Sequence, residues 1–246
     1  MAKKAEKEIT VEEGTSILEA ARKNGIDIPT LCYDKNLSSF GGCRMCLVEV
    51  EGSKKLVASC SAKVKEGMVV HTRSDKVIKS RKMTLDLILS NHRINCFSCP
   101  KNGDCGLQNY CKEYGIEKSS YEGSRSRIKK EILHYHPFLS YDPSLCIHCQ
   151  RCINTCSKTV GRKAITPGKN GRFTVIDAPF GEDWKITICE SCGNCAQACP
   201  TGALTEGRRK KYQPWEVRKV LTTCPHCGTG CQLYLVVKDN KIVDVE

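Results

Sequence analysis

Apolar residues along this chain come in short bursts separated by polar and glycine-containing stretches, and each burst carries a recognisable period. Ser16-Ile17-Leu18-Glu19 forms a capping box, with Ser16 as N-cap and Glu19 three positions on, so a helix is expected from there to about Asn24. Gly25 can take the left-handed position that follows its end. Leu47-Val48-Glu49-Val50 and Met68-Val69-Val70 read as strands, with Lys55-Leu56-Val57 as a partner of the first. Residues 76–90 place Val77, Ile78, Leu85, Ile88 and Leu89 on one side of an amphipathic helix. Residues 1–75 thus read as a small α/β unit, 118–137 as a charged connection, and 140–206 as short turns around cysteines. From Thr222 a new unit opens with a cysteine loop, followed by strands over 232–237 and 241–245 about an Asp239-Asn240 turn. No apolar run approaches the 18 or so residues of a membrane span, and Met1 to Glu8 lead into no signal-peptide core.

Composition explains why the bursts are short. The apolar class is 40% of the 246 residues, but about a fifth of that class is the 19 Cys, and aromatics are only 6%. One large oily core is not expected from such a chain; several small modules stapled through their cysteines are. Disulfide staples need an oxidising compartment, and Arg208-Arg209 is internal to a charged run, so the expectation is a reduced, cytoplasmic setting with metal-binding cysteines. The net charge of +12 and the basic runs Arg125 to Lys130 and Arg208 to Lys211 raise nucleic acid as a partner. No aromatic stacking motif or zinc-finger pattern accompanies them, so they read as solvated linkers and no nucleic-acid partner is expected.

The cysteine spacings carry the chemistry. Cys146-x2-Cys149-x2-Cys152-x3-Cys156 and Cys189-x2-Cys192-x2-Cys195-x3-Cys199-Pro200 are an internal repeat of the bacterial ferredoxin run, whose fourth cysteine ligates the other cluster. Cys146, Cys149, Cys152 and Cys199 are therefore expected to hold one [4Fe–4S], and Cys189, Cys192, Cys195 and Cys156 another. Ser157 stands where the first copy would carry proline, which leaves the ligands intact. Zinc favours paired C-x2-C sets, which two full quartets at this spacing do not resemble. A further set, Cys32-x10-Cys43-x2-Cys46-x13-Cys60, has Ser38, Ser39, Gly41 and Gly42 before its central pair, small residues that let backbone N–H groups approach sulfur. It suggests a [2Fe–2S] centre, with zinc as the alternative.

His92-x3-Cys96-x2-Cys99-x5-Cys105 offers three thiolates and an imidazole at the end of the expected helix. A neutral nitrogen in place of a thiolate removes a negative charge and favours reduction. Cys111 is the alternative fourth ligand and otherwise a small buried hydrophobe. Cys224-x2-Cys227-x3-Cys231 lacks a fourth cysteine before Glu246, so either its ligand lies beyond this chain or the site is incomplete; His226 reads as a loop residue.

The order of these sets resembles the amino-terminal electron-transfer region shared by iron-only hydrogenases, the large iron–sulfur subunit of respiratory complex I and soluble NAD(P)-linked formate dehydrogenases. The resemblance covers about 1–210. It implies an α+β, multi-module iron–sulfur protein. Its modules would be a β-grasp [2Fe–2S] domain over 1–78, a small helical His/Cys3 [4Fe–4S] domain and linker over 79–137, and a 2×[4Fe–4S] ferredoxin-like domain over 138–212. Residues 213–246 resemble the opening [4Fe–4S] segment of a molybdopterin oxidoreductase domain, through Cys224, Cys227 and Cys231. The mostly charged residues 1–8 depart from the apolar-alternating strand that usually opens the family. Two ferredoxin quartets followed by that last motif look most like the α subunit of a cytosolic formate dehydrogenase.

The resemblance implies one [2Fe–2S], three [4Fe–4S], and a fourth [4Fe–4S] where a further ligand is supplied. A Mo/W bis-pterin is expected only if the chain continues past 246, and no catalytic residue is named within it. The implied partners are flavin/NAD(P)-binding diaphorase-type or hydrogenase subunits in a hetero-oligomer. A stand-alone multi-cluster electron-transfer subunit with no active site of its own is the alternative. Oxidised clusters with their thiolates would add roughly seven negative charges, so the loaded chain would be far less basic than its composition suggests.

Overall fold

The computed structural model describes residues 7–37, 39–121, 136, 138–170, 173–179, 188–206, 212 and 214–245. The first six residues, Ser38, most of the 118–137 connection and both basic runs lie outside the described residues. The chain forms two compact units, 1–207 and 208–246.

In the first unit the capping box closes as expected. The Ser16 side chain accepts the Glu19 N–H, and the Glu19 carboxylate accepts the Ser16 N–H, which starts α1 (Ile17–Lys23). Strands β1 (Leu47–Val50), β2 (Val57–Ala58) and β3 (Val70–His71) form an antiparallel sheet in the order β2-β1-β3. Ile17, Leu18, Ile28, Val48 and Ala58 pack beneath it with Cys46 and Cys60. The two flanking strands begin two residues later than the sequence suggests, because pairing with β1 selects Leu47↔Ala58 and Val50↔Val70. Residues 7–15 form no strand, so a β-grasp opening hairpin is not among the described elements.

Helix α2 (Asp75–Ser90) is capped by Ser74 and buries Val77, Arg81, Leu85 and Leu89, one line at four-residue spacing. It runs through the expected module boundary at 78/79. Helix α3 (Gly106–Tyr114), within the stretch where a small helical module is expected, follows Cys105 as N-cap and ends at Gly115, whose φ of 67° gives the left-handed close.

The segment expected to be turns also contains strands. β4 (Leu139–Tyr141) pairs antiparallel with the distant β7 (Leu204–Glu206), and β5 (Thr166–Asn170) with β6 (Phe173–Asp177) between the two cysteine runs. Helix α4 (Arg151–Asn154) continues as a π-turn over Thr155–Thr159, and α5 (Asn194–Ala198) occupies the matching place in the second run.

The second unit is an antiparallel sheet of β8 (Arg218–Thr223), β9 (Gln232–Lys238) and β10 (Lys241–Val245), in the order β10-β9-β8. β8 takes in Thr222, which the sequence assigned to the cysteine loop. Asp239 and Asn240 turn β9 into β10 with φ of 49° and 58°, the pair of positive values a two-residue hairpin loop requires. No described helix is long and apolar enough to cross a membrane.

Candidate metal centres

The first set is buried throughout. The Cys43 N–H donates to the Cys32 sulfur at 3.5 Å, and the sulfurs of Cys46 and Cys60 lie 3.3 Å apart. Positive φ at Gly41 (66°) and Arg44 (59°) turns the loop around the central pair. A thiol hydrogen bond from Cys32 pulls Cys43 down to about 6, and one from Cys46 does the same for Cys60; the two donor thiols are pushed up. Four buried cysteines, with the Cys46 and Cys60 sulfurs in contact and the Cys43 N–H on the Cys32 sulfur, would suit a two-iron group.

Arg81, with none of its surface exposed, donates Nε to Met45 O at 3.1 Å and Nη2 to Leu47 O at 2.9 Å, bracketing Cys46. Its Nη1 reaches the Tyr114 hydroxyl at 3.2 Å, joining α2, α3 and the sheet. Among the described residues no carboxylate pairs with it. A buried cation is costly unless an anion offsets it, and an anionic iron–sulfur group at Cys46 would do so.

In the second set His92 is buried just past α2, Cys96 opens a 3-10 turn over Cys96–Ser98, and Cys105 caps α3. Burial pushes Cys105 up, reinforced by charge at Cys99 and Cys96. Cys111 on α3 is pushed up to about 11 by burial and by charge at Cys105 and Cys96, so this thiol lies beside the set. A Cβ on Gly202 would come within 2.6 Å of the Cys99 sulfur, which therefore sits in a notch that only glycine leaves open. Through that notch the second set touches the segment that follows Cys199.

The two ferredoxin-type runs cross over. One cavity has Cys146, Cys149, Cys152 and Cys199 in its wall, with Tyr141 and Ile176 among its other lining residues. Burial pushes Cys149 up to about 12, and charge at Cys199 and Cys146 adds to it. In the other direction, burial raises Cys156, helped by charge at Cys189 and Cys192. Cys195 is pushed to about 12 by burial, then by Cys189, Cys156 and Cys192. The structure thus brings Cys199 to the first run and Cys156 to the second.

Backbone N–H groups also point at sulfur, as from Ala164 to Cys156 at 3.3 Å. Iron–sulfur groups are held by thiolates in such concave, hydrogen-bonding cages, so the residues present fit them. Among the described residues no three or more His, Cys, Asp or Glu side chains converge on a single-ion site.

In the second unit Cys224, Cys227 and Cys231 lie on the loop from β8 to β9, where the Cys224 N–H donates to Cys231 O at 2.8 Å. Cys227 and Cys231 are exposed, and a 3.3 Å contact with the Thr229 hydroxyl holds Cys227 below the ordinary thiol value.

Several side chains around these cages lie outside the cysteine spacing. Arg81 was readable in principle, because it occupies the apolar line of α2 between Val77 and Leu85. Tyr141, His136 and Gly202 carried no such local signal.

Four stretches match known families. Residues 6–75 match a 2Fe-2S iron-sulfur cluster binding domain, and 81–120 the NADH-ubiquinone oxidoreductase-G iron-sulfur binding region. Residues 145–203 match a 4Fe-4S dicluster domain, and 217–246 the molybdopterin oxidoreductase Fe4S4 domain. A G-type NADH-quinone oxidoreductase chain of Rhizobium meliloti is 36% identical over 98% of this chain and 28% of its own length. The alpha chain of an NADPH-Fe(3+) oxidoreductase of Geobacter sulfurreducens is 40% identical over 96% and 28%. A putative formate dehydrogenase of Staphylococcus haemolyticus is 30% identical over 96% and 28%.

The chain therefore spans little more than a quarter of the length of these relatives. Among solved structures, an NAD+-reducing [NiFe]-hydrogenase chain superposes with a TM-score of 0.75 at 29% identity, over 84% of this chain and 86% of that one. These matches identify the chain as the multi-domain iron–sulfur region, with 2Fe-2S, 4Fe-4S and molybdopterin Fe4S4 domains, of the kind found in G-type NADH-quinone oxidoreductase chains and their relatives.

Proposed function

We propose that this chain conducts electrons within an NAD(P)-linked oxidoreductase complex, between a flavin/NAD(P)-binding or hydrogenase subunit and a second redox site. Iron–sulfur groups supply one-electron transfer with no bond to a substrate. The chain's residues would hold them: Cys32, Cys43, Cys46 and Cys60 a [2Fe–2S], and His92, Cys96, Cys99 and Cys105 a [4Fe–4S]. Two more [4Fe–4S] would sit on Cys146, Cys149, Cys152 and Cys199, and on Cys189, Cys192, Cys195 and Cys156. Cys224, Cys227 and Cys231 would take part in a further one. The observation that carries this reading is the cavity whose wall unites three cysteines of one run with Cys199 of the other. Burial and backbone N–H groups shield the thiolates and set how readily each group is reduced.

A finer reading makes the second redox site a molybdenum- or tungsten-pterin centre interconverting formate and CO2. Two full ferredoxin-type runs followed by a stretch that matches the molybdopterin Fe4S4 domain favour it.

Isolated without oxygen and reduced with dithionite, the chain should contain iron and labile sulfide and give EPR signals of one [2Fe–2S] and at least three [4Fe–4S] groups. Cys199→Ser should abolish the signal of the Cys146 set and spare that of the Cys189 set. Loss of the Cys189 set's signal instead, or zinc as the bound metal, would overturn the assignment.

A further inference from the structure

His136 belongs to no cysteine run, yet its buried ring lies against one. Its Nδ1 accepts the Phe138 N–H at 3.1 Å. A nitrogen that accepts carries no proton, so the ring is neutral and its proton is on Nε2. Nε2 lies 3.6 Å from the Cys189 sulfur and 3.2 Å from the Ser191 hydroxyl oxygen. The backbone amide of Phe138 thereby aims an N–H donor at a proposed cluster ligand. The equivalent cysteine of the first run is served differently: the ring nitrogen at the Cys146 sulfur is Nδ1 of His148, from the same cysteine run, at 4.0 Å.

We propose that His136 is a positioning residue that raises the reduction potential of the group held by Cys156, Cys189, Cys192 and Cys195, by donating its Nε2 proton to the Cys189 sulfur. The inference rests on the ligand reading above. A donor at sulfur stabilises the form with one more negative charge, so it favours reduction. One electron enters from the reductant, no bond breaks, and the proton stays on Nε2. Ser191, with φ of 57°, shares the same N–H and draws part of it from sulfur.

The test is a dithionite-poised EPR titration of the full, cluster-loaded chain, signal by signal. His136→Phe should make reduction of this one group about tenfold less favourable, a fall of about 59 mV for one electron. The other signals should keep their midpoints. Ser191→Ala, which leaves the N–H to Cys189 alone, should hold or raise the midpoint. A His136→Phe midpoint equal to that of the parent overturns the inference, as does a fall with Ser191→Ala matching that of His136→Phe.

If His136→Phe fails to hold the group, the parent protein labelled with 15N-histidine decides. Pulsed EPR of this group should then show one coupled histidine nitrogen, and none would overturn the inference. Failure of the ligand reading looks different: the group's signal would survive Cys192→Ser.

Discussion

The two ferredoxin-type runs share a spacing and much of a backbone, and differ in what surrounds them. At matching positions His148 and Ser191 take φ of 54° and 57°, and Gln150 and Gly193 take 58° and 73°. The third cysteine of each, Cys152 and Cys195, sits on a short helix. Yet Cys149 packs into a core with Leu31, Cys32, Cys43 and Cys105, which joins this inner run to the first two sets, while Cys192 at the equivalent position of the outer run is exposed. Spacing therefore encodes the cage, and its neighbours decide its setting. One motif can pass charge within a body or present a group to the outside.

The ion pairs follow the same division. Arg93, next to His92, binds Asp142 at 2.6 Å, and the Arg93 N–H donates to Ser144 O at 2.8 Å. The other Asp142 oxygen caps the turn before Cys146 by accepting the Ser144 N–H at 3.0 Å. Arg151 of the inner run reaches Asp34, two residues past Cys32, at 2.8 Å. The largest effect is expected from breaking the most buried of these carboxylates. Asp142→Ala leaves Arg93 and the turn without their acceptor and should cost about 2 kcal/mol in denaturant unfolding, a value reduced because Arg93 is a third exposed. It should also disturb the EPR signals of the His92 and Cys146 sets before that of the Cys189 set. An equal disturbance of all three would erase the inner–outer distinction.

Metal removal sharpens the distinction at a smaller scale. Under a mild oxidant with chelator, iron should leave the outer set first, because Cys192 is open to solvent while Cys149 and Cys152 are buried. A tenfold difference in rate, about 1.4 kcal/mol in barrier, is the expected size. Alkylation followed by mass spectrometry would record it as Cys192 labelled ahead of Cys149. With its pKa near 12, a freed Cys149 stays a thiol at pH 8, and its labelling should accelerate as pH rises toward that value. Protonation is the form that the folded interior favours. Stability contributed by Cys149 in the iron-free protein is therefore complete below about pH 9 and is lost as pH climbs toward 12.

Much of this architecture was legible in the sequence, and what was not has identifiable causes. Five cysteine sets and the capping box that starts α1 are local patterns of fixed spacing, and the structure forms the box and pairs the runs crosswise. Helix α3 carries a local signal as well, with Leu107, Tyr110, Cys111 and Tyr114 at the i, i+3, i+4, i+7 spacing of one helical face, obscured only by the cysteine-ligand pattern that overlaps it. β4 and β7 are three residues each, too short to show an alternation, and their pairing joins segments far apart in the chain. His136 lies 53 residues from Cys189, and no periodicity connects them. Arg81 is the instructive miss. A charge on the buried line of an amphipathic helix marks a polar demand inside, here the carbonyls on either side of Cys46.

The smallest effect completes the comparison. Arg162 pairs with Glu190, the residue after Cys189, and about half of each side chain is exposed. The pair looks like the outer run's counterpart of Arg93–Asp142, but solvent screens it and both long side chains lose freedom in making it. Glu190→Gln should therefore leave the unfolding midpoint unchanged within error and the outer group's EPR signal intact, under the conditions where Asp142→Ala shifts both for the inner set. The contrast separates geometry from setting, since each pair sits beside a cysteine run of the same spacing. A destabilisation by Glu190→Gln as large as that by Asp142→Ala would mean that the outer run is also held by its charges, and that exposure of Cys192 is not the property that sets the two runs apart.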